Sequence, residues 1–263
     1  MENPLREKIS CTIGAKNAEN DIRECLESVK WADEIIVVDD FSTDRTVEVA
    51  RQYTDKVFQK KMTGDAEQRN FAIRQASYRW ILSLDADERV SPQLRDEMLE
   101  KLSHPPEASG FYLRRLNIFL GKPVRHCGWY EANNPRFFNK EKARYDTAFK
   151  YLMRMEISGP MGVLKNDLLH YTCRNLRDYF NRVNIWSTLN TEDLIIKGRR
   201  VTCLSSPYYF IFKPVAVFFY KYFLKGGYLD GFVGFLICSI SAITYFISYA
   251  KLWEAQNMAR DKV

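Results

Sequence analysis

The sequence predicts an α/β fold, a doubly wound and mostly parallel central sheet that is followed by a helical C-terminal extension. Three observations carry that prediction. Through the first 120 residues, apolar β-branched runs alternate with segments of helical period. Two of those runs stop abruptly at acidic residues, Asp39-Asp40 and Asp85-Ala86-Asp87. The aromatic residues (17 Phe, 15 Tyr and 5 Trp) are unevenly spread, with 16 of them between residues 205 and 253. With 263 residues, 46% of them hydrophobic and 27% charged, the chain can bury a sizeable core, and wholesale disorder is excluded.

The elements follow in order. Residues 9–13 read as a short buried strand, and Asn20 or Asp21 can cap a helix whose Ile22, Leu26 and Val29 form one apolar face. Residues 34–38 are a buried parallel-type strand with polar groups at its C-terminal end. Ser42 to Asp44 lead into a helix with Val47 and Ala50, and a strand follows near 56–59. Residues 66–76 look helical, 80–84 form the next strand, and Ser91-Pro92 opens another helix with proline in its first turn. From 110 to 165 short strands (111–116, 136–139, 143–145) alternate with loops marked by Gly121, Pro123, Gly128 and Pro135. A helix over 175–196 precedes two apolar segments, 208–224 and 232–252, split by Gly226-Gly227.

The excess of 39 basic over 33 acidic residues is mild and suits a membrane surface or a phosphorylated ligand as well as nucleic acid. The N-terminus has no apolar stretch of the secretory kind. The six cysteines show no paired spacing and read as thiols of a reducing compartment, so a cytoplasmic catalytic part is expected.

In an open α/β sheet ligands bind beyond the carboxyl ends of the strands, where both acidic clusters fall. Carboxylates gathered there repel one another unless a cation or donor joins them. An Asp-x-Asp turn can present two of them to one Mg²⁺ or Mn²⁺ that also meets substrate phosphates. A capping cluster ahead of Ser91-Pro92 is the plainer alternative, and the residues alone leave both open. Rival chemistries lack their motifs: there is no G-x-G-x-x-G, no P-loop and no G-x-S-x-G, and three histidines make a His-rich zinc site improbable.

Four blocks in order, Ala15-Lys16-Asn17-Ala18-Glu19, residues 36–44 (Ile-Val-Val-Asp-Asp-Phe-Ser-Thr-Asp), Gln68-Arg69-Asn70-Phe71-Ala72 and residues 80–88 (Trp-Ile-Leu-Ser-Leu-Asp-Ala-Asp-Glu), resemble the nucleotide-sugar domain of inverting family 2 glycosyltransferases of the Rossmann-like GT-A fold. Three further segments, 117–122, 125–130 (Arg-His-Cys-Gly-Trp-Tyr) and 168–171, are similar to the lipopolysaccharide-core β-glucosyltransferase subgroup. In the tail, Tyr228-Leu229-Asp230-Gly231 and Tyr249-Ala250-Lys251-Leu252 fit more weakly. The resemblance implies a hexosyltransferase that moves a hexose, glucose in that subgroup, from a UDP-sugar to a glycolipid such as lipopolysaccharide inner core. It implies that Asp39, flanked by Asp40 and with Glu19 nearby, binds uracil and ribose. Asp85 and Asp87 would hold ribose and the metal, and Gln68, Arg69 and Asn70 would lie near the diphosphate or donor sugar. Read plainly, Arg69 is a solvated helix charge and Glu19 an acid at a helix N-terminus.

The acceptor side departs from the pattern. The subgroup carries Val-His-Glu ahead of a Gly-x-x-Gly pair; here the pair is Gly159 and Gly162, but residues 149–154 read Phe-Lys-Tyr-Leu-Met-Arg. Glu131, Asp146 and Glu156 are the candidate bases, with Glu131 favoured because it adjoins the Gly128-Trp129-Tyr130 turn, and a plain loop charge is its alternative. A catalytically impaired nucleotide-sugar-binding or scaffold protein at the membrane is therefore the second reading.

The expected organisation is a glycosyltransferase domain over 1–200, with a donor half at about 8–105 and an acceptor half at about 106–200, and a tail over 201–263. Residues 232–249 carry no charge, near the length of a membrane span, yet Ser239, Ser241, Thr244 and Ser248 interrupt the apolar run. From Arg200 onward seven basic residues stand against three acidic ones, the sign that anionic lipid attracts. Helices lying in the interface on inner-leaflet lipids, flanked by snorkelling lysines, are expected on the cytoplasmic face of the membrane; a span, or a buried or homodimer-forming hairpin, is the alternative. No nucleic-acid partner is expected.

Overall fold

The computed structural model describes residues 6–104, 106–147 and 154–260. In chain order the elements are β1 (Ile9–Ala15), α1 (Ile22–Val29), β2 (Glu34–Asp39), α2 (Thr46–Ala50), β3 (Val57–Gln59), α3 (Asp65–Gln75), β4 (Trp80–Asp85), β5 (Glu88–Val90), α4 (Pro92–Lys101), β6 (Gly110–Phe119), β7 (Lys122–Val124), β8 (Ala132–Asn139), β9 (Ala143–Tyr145), β10 (Met155–Ile157), β11 (Met161–Cys173), α5 (Leu176–Ile196), α6 (Lys213–Phe219) and α7 (Gly231–Arg260). The chain divides into two compact units, residues 1–116 with 131–170, and residues 117–130 with 171–263.

The first unit is built on a sheet of order β3-β2-β1-β4-β8-β6-β11-β5. β3, β2, β1 and β4 run parallel, as the alternation of strands and helices predicts. β8 then joins β4 antiparallel, and β5 pairs antiparallel with β11, so the sheet is mixed. The parallel strands are apolar on both faces because helices cover both. Ile9, Cys11, Ile13, Val37, Leu82 and Leu84 pack with α1 and α4, while Ile36, Val38 and Ile81 pack with Ala72 and Ile73 of α3. Each of these fully buried aliphatic side chains contributes about 1.5–3 kcal/mol. Trp80, Phe111 and Phe137 belong to the first cluster, with ring centroids 5.1–6.0 Å apart. Gly110 and Gly162 permit that approach, since a Cβ at either would lie 2.9 Å from Phe138 Cβ or 2.6 Å from the Phe111 ring.

Local signals act largely as written. The Ser91 hydroxyl accepts from Leu94 N at 3.2 Å to cap α4, and Asn175 Oδ1 accepts from Asp178 N at 2.9 Å to cap α5. Asp21 stands at the N-cap of α1 but makes no side-chain cap, because its carboxylate faces Arg89 at 3.2 Å. β11, 13 residues long, has no counterpart in the sequence reading, because Lys165, Asn166 and Asp167 interrupt its apolar alternation. Residues 149–153, where the acceptor-side motif departs from the family, lie outside the described residues; Arg154 is described.

The second unit contains α5, a helical run over 208–224 and α7. Pro214 does not break that run: a π-helical turn over Tyr208–Phe212 precedes α6 and a second follows it. α7 packs along α5 through polar pairs. Lys251 Nζ donates to Asn184 O, Asn184 Oδ1, Ser187 Oγ and Thr188 Oγ1 at 2.7–2.9 Å, and Thr191 Oγ1 donates to Ser248 O at 2.9 Å. A cluster of Phe119, Val124, Cys127, Tyr179, Val183, Val233, Ile237 and Ile240 forms its core.

Candidate active site

Register brings the two acidic clusters to one edge. Gly14 of β1 pairs with Val38 on one side and Asp85 on the other, and Ala15 pairs with Asp39. The carboxylates therefore flank the end of a single strand, about 10 Å apart across two strand spacings. A cavity of ≈ 150 Å³ opens at that edge, lined by Thr12, Gly14, Lys16, Asp40, Asp65, Gln68, Arg69, Ser83 and Asp85 among others. This is where the topology of an open α/β sheet leaves a crevice.

Of the residues singled out from sequence, Asp40, Gln68, Arg69 and Asp85 line the cavity. Asp40 accepts from Lys16 Nζ at 2.6 Å and from Met62 N at 2.9 Å. Burial works to raise its pKa, but these two donors outweigh it and hold the carboxyl below its ordinary value. Asp39 is fully buried and does not reach the cavity. Its oxygens accept from the Ser42 amide at 2.9 Å, from the Ser42 hydroxyl and from Gln59 Nε2 at 3.2 Å, which shapes the turn after β2. In that turn Phe41 adopts φ +49° with its side chain 57% exposed, an uncommon conformation for a bulky residue and a mark of a constrained loop. Glu19 lies outside the cavity and accepts from the Arg45 amide at 3.1 Å at the start of α2. Asn70 also points away, exchanging hydrogen bonds with the backbone of Tyr145 at 2.7 and 3.0 Å.

Asp85 sits between two guanidinium groups. Arg69 donates to Oδ1 and to Ser83 Oγ, and Arg136 Nη2 donates to Oδ2 at 2.7 Å. Burial of the carboxylate would raise its pKa, but Arg69, Arg136 and His170 overcome that and hold it far below the usual range. Arg136, 2% exposed, also meets Glu88 at 3.3 Å, and Glu88 accepts from the Asp85 amide at 2.9 Å. Arg136 and Glu88 were not identified from sequence as site residues. Glu88 ends the quoted acidic block, but Arg136 is 51 positions from Asp85 and only the β4–β8 pairing unites them. The same holds for Lys16, Asp65 and Ser83, polar groups whose facing could be read only from the register.

Asp87 lies beyond this cage, its Oδ2 3.4 Å from His170 Nε2. Among the described residues no group of three or more His, Cys, Asp or Glu is arranged to hold a metal alone. With both oxygens of Asp85 taken by arginines, the donor set that fits a divalent cation is Asp87 with His170. That pair suits a cation completing its shell with phosphate oxygens and water, as Mg²⁺ and Mn²⁺ do. The orphaned groups nearby are donors: Arg136 Nη1 and the Tyr145 hydroxyl are buried without a hydrogen-bond partner, and they match oxygens of a bound ligand or of water.

Of the candidate bases, Glu131 immediately precedes β8, whose antiparallel register with β4 carries its start to the edge where β4 ends. Glu156, itself exposed, is held by Arg144 at 2.6 Å across the antiparallel β9–β10 pair, and the Asp146 amide donates to Arg154 O at 2.8 Å.

With this geometry in hand, the chain matches the family "Glycosyl transferase family 2" over residues 10–157, more than half its length and every strand from β1 to β10. The chain belongs to glycosyl transferase family 2. It is a glycosyltransferase. Two curated relatives extend the likeness beyond the matched region. The lipopolysaccharide core biosynthesis glycosyltransferase LpsC of Rhizobium meliloti is 29% identical over 252 residues, covering 94% of this chain and 92% of LpsC. An uncharacterized glycosyltransferase of Rickettsia felis is 30% identical over 261 residues, covering 95% and 90%. Among solved structures, S. aureus TarS 1-349 in complex with UDP is 16% identical, with a TM-score of 0.49 and coverage of 96% and 92%. For a family 2 glycosyltransferase, the cavity at the ends of β1, β2 and β4 is the candidate donor site.

Proposed function

We propose that this glycosyltransferase transfers a hexose, glucose by its resemblance to the lipopolysaccharide-core subgroup, from a UDP-sugar to the saccharide of a glycolipid such as lipopolysaccharide inner core, with inversion at the anomeric carbon. The observation that carries the proposal is the polar cavity at the strand edge, where acceptors (Asp40, Asp65) and donors (Lys16, Arg69) converge. The LpsC relative, similar over nearly the whole of both chains, supports the acceptor class.

In this reading Asp40 accepts from the nucleoside and Gln68 completes the cleft. Asp39 acts behind Asp40 by fixing the turn through Ser42 and Gln59. The reaction breaks the bond between the anomeric carbon and the diphosphate oxygen, and the bonding pair leaves with UDP. Arg69, held by Ser83 and Asp85, supplies fixed positive charge for that growing negative charge, an electrostatic contribution made without reorganisation. Asp87 and His170 are the residues that would hold Mg²⁺ or Mn²⁺, which when bound supplies further charge neutralisation at the diphosphate. The acceptor hydroxyl attacks from the opposite face and loses its proton to a carboxylate, for which Glu131 is proposed.

The functional division we propose is a catalytic domain over about 1–200 and a membrane-binding tail over 201–263. The helical stretch Gly227–Met258, most of it α7, is long and apolar enough to cross a membrane, with a mean hydropathy of 1.9 over an 18-residue window. Its polar seam with α5, a helix carrying Arg177, Asp178, Arg182, Glu192 and Asp193, favours lying in the interface over spanning. Exposed Phe212, Phe219, Phe223, Leu224 and Phe232, with Lys213 held against Tyr245 and Tyr249, suit the apolar and basic boundary of an inner leaflet. A panel of UDP-sugars offered to purified core glycolipid, scored by product mass, tests the proposal. A single hexose added from one donor supports it, and no transfer from any donor by the folded, membrane-bound protein refutes it.

A further inference from the structure

The segment Arg125-His126-Cys127-Gly128-Trp129-Tyr130 stands in the acceptor half of the proposed enzyme, yet it folds within the second compact unit, together with the C-terminal tail. One tail carboxylate organises it. Asp230, 6% exposed, accepts from the Arg125 amide at 3.2 Å and from His126 Nδ1 at 3.0 Å on Oδ1, and from the His126 amide at 2.9 Å on Oδ2. The Cys127 thiol lies 3.8 Å from Oδ2. The same turn of the tail completes the frame: Lys225 O accepts from the Cys127 amide at 3.0 Å, and Lys221 Nζ donates to Cys127 O at 3.2 Å.

These bonds hold an otherwise unfavourable backbone. Cys127 adopts φ +61° and Gly128 φ +74°, consecutive left-handed residues, and a non-glycine residue at positive φ persists only where its surroundings fix it. The pair reverses the chain and sets Trp129 against Phe119, with ring centroids 6.2 Å apart, while Asn117 Nδ2 donates to Trp129 O at 3.0 Å. It also brings Tyr130 beneath the Arg125 guanidinium at 5.2 Å. Arg125 is exposed and Tyr130 half-buried, so a saccharide can meet the guanidinium donors beside the part of the aromatic ring that the guanidinium leaves uncovered.

We propose that Asp230 is a positioning residue for acceptor recognition: through three donors of residues 125–126 it sets the turn that presents Trp129, Tyr130 and Arg125 to the acceptor saccharide. The membrane-binding tail is then part of the acceptor site and more than an anchor. The inference rests on the glycolipid reading above and adds the residue that couples the tail to the acceptor.

Asp230→Asn tests it with little change of shape, because the amide puts an NH2 donor where at least one N–H already points at a carboxylate oxygen. The full-length protein and the variant are compared in transfer to the glycolipid and to its delipidated oligosaccharide. The expected result is an acceptor KM raised at least about tenfold with both substrates, equal to ~1.4 kcal/mol, with the UDP-sugar KM and binding to anionic vesicles unchanged. Hydrogen exchange by mass spectrometry supplies a second readout. Residues 125–130 exchange faster in the variant while 233–252 keep their protection, which separates a released loop from an unfolded tail. Equal acceptor KM values overturn the proposal, as does a defect seen only with the lipidated substrate or loss of protection throughout 233–252. If the wild type transfers sugar to no glycolipid, the parent reading fails and this one falls with it; normal transfer with an unaffected variant removes this one alone.

Discussion

Replacing Arg136 by alanine tests how the candidate site is held together. Its guanidinium is 2% exposed and bridges Asp85 at 2.7 Å and Glu88 at 3.3 Å, the latter fully buried. Without it Glu88 keeps Arg115 at 3.7 Å, and Asp85 keeps only Arg69 of its two arginines. Removing one partner of a buried ion pair costs about 3–5 kcal/mol, because the partner charge stays buried and uncompensated. That is a large fraction of the roughly 5–15 kcal/mol that keeps a domain folded. Urea unfolding read by far-ultraviolet circular dichroism measures it. The double variant Arg136→Ala/Glu88→Gln removes the stranded charge and should recover at least ~1 kcal/mol of the loss. The pH dependence has a definite sign. Asp85 is depressed from 3.8 in the fold, so its stabilisation is fully present above that value and is lost as the pH falls below it. The wild type should therefore lose stability below about pH 4, and Arg136→Ala should lose less over the same window. A loss under ~1 kcal/mol in Arg136→Ala, or a double variant no better than the single one, would refute the reasoning.

Three further predictions concern separate parts of the molecule. Glu34, its side chain 8% exposed, is pushed down to about 2 because Lys56, Ser10 and Ser77 outweigh the effect of burial. Glu34→Gln should cost about 1–3 kcal/mol at neutral pH and remove the acid lability between pH 4.5 and 2, as urea titrations across that range would report. Gly234→Ala places a Cβ 1.9 Å from Gly227 O, and an overpacking cost of about 1–3 kcal/mol should show as lost hydrogen-exchange protection across 227–252. Glu131→Gln should lower kcat by about 10²–10⁴ while UDP affinity stays unchanged, the pattern of a lost general base in steady-state kinetics and calorimetry.

Much of the donor half was legible because its signals are local. The runs that became β1, β2 and β4 are continuous and apolar, Ser91-Pro92 carries its own cap, and the carboxylates after β2 and β4 reach one edge wherever those strands run parallel. What sequence could not resolve was the facing of individual polar groups. Asp39 and Asp40 are neighbours, yet one is consumed by Ser42 and Gln59 while the other opens onto the cavity. Glu19 and Asn70 bond to backbone, and that depends on loops from other parts of the chain. Arg136 and Asp230 act across 51 and 104 positions, distances over which no periodicity or cap gives a signal.

The central claim is that the cavity beside Lys16, Asp40, Gln68 and Arg69 takes the nucleotide of a UDP-sugar. Calorimetric titration of UDP in the presence of Mn²⁺, into the wild type and into Asp40→Ala, tests it most directly. The account predicts saturable binding to the wild type and at least about tenfold weaker binding to the variant, with both proteins melting cooperatively. Absence of binding heat with the folded wild type, or equal affinity in the two proteins, would contradict it.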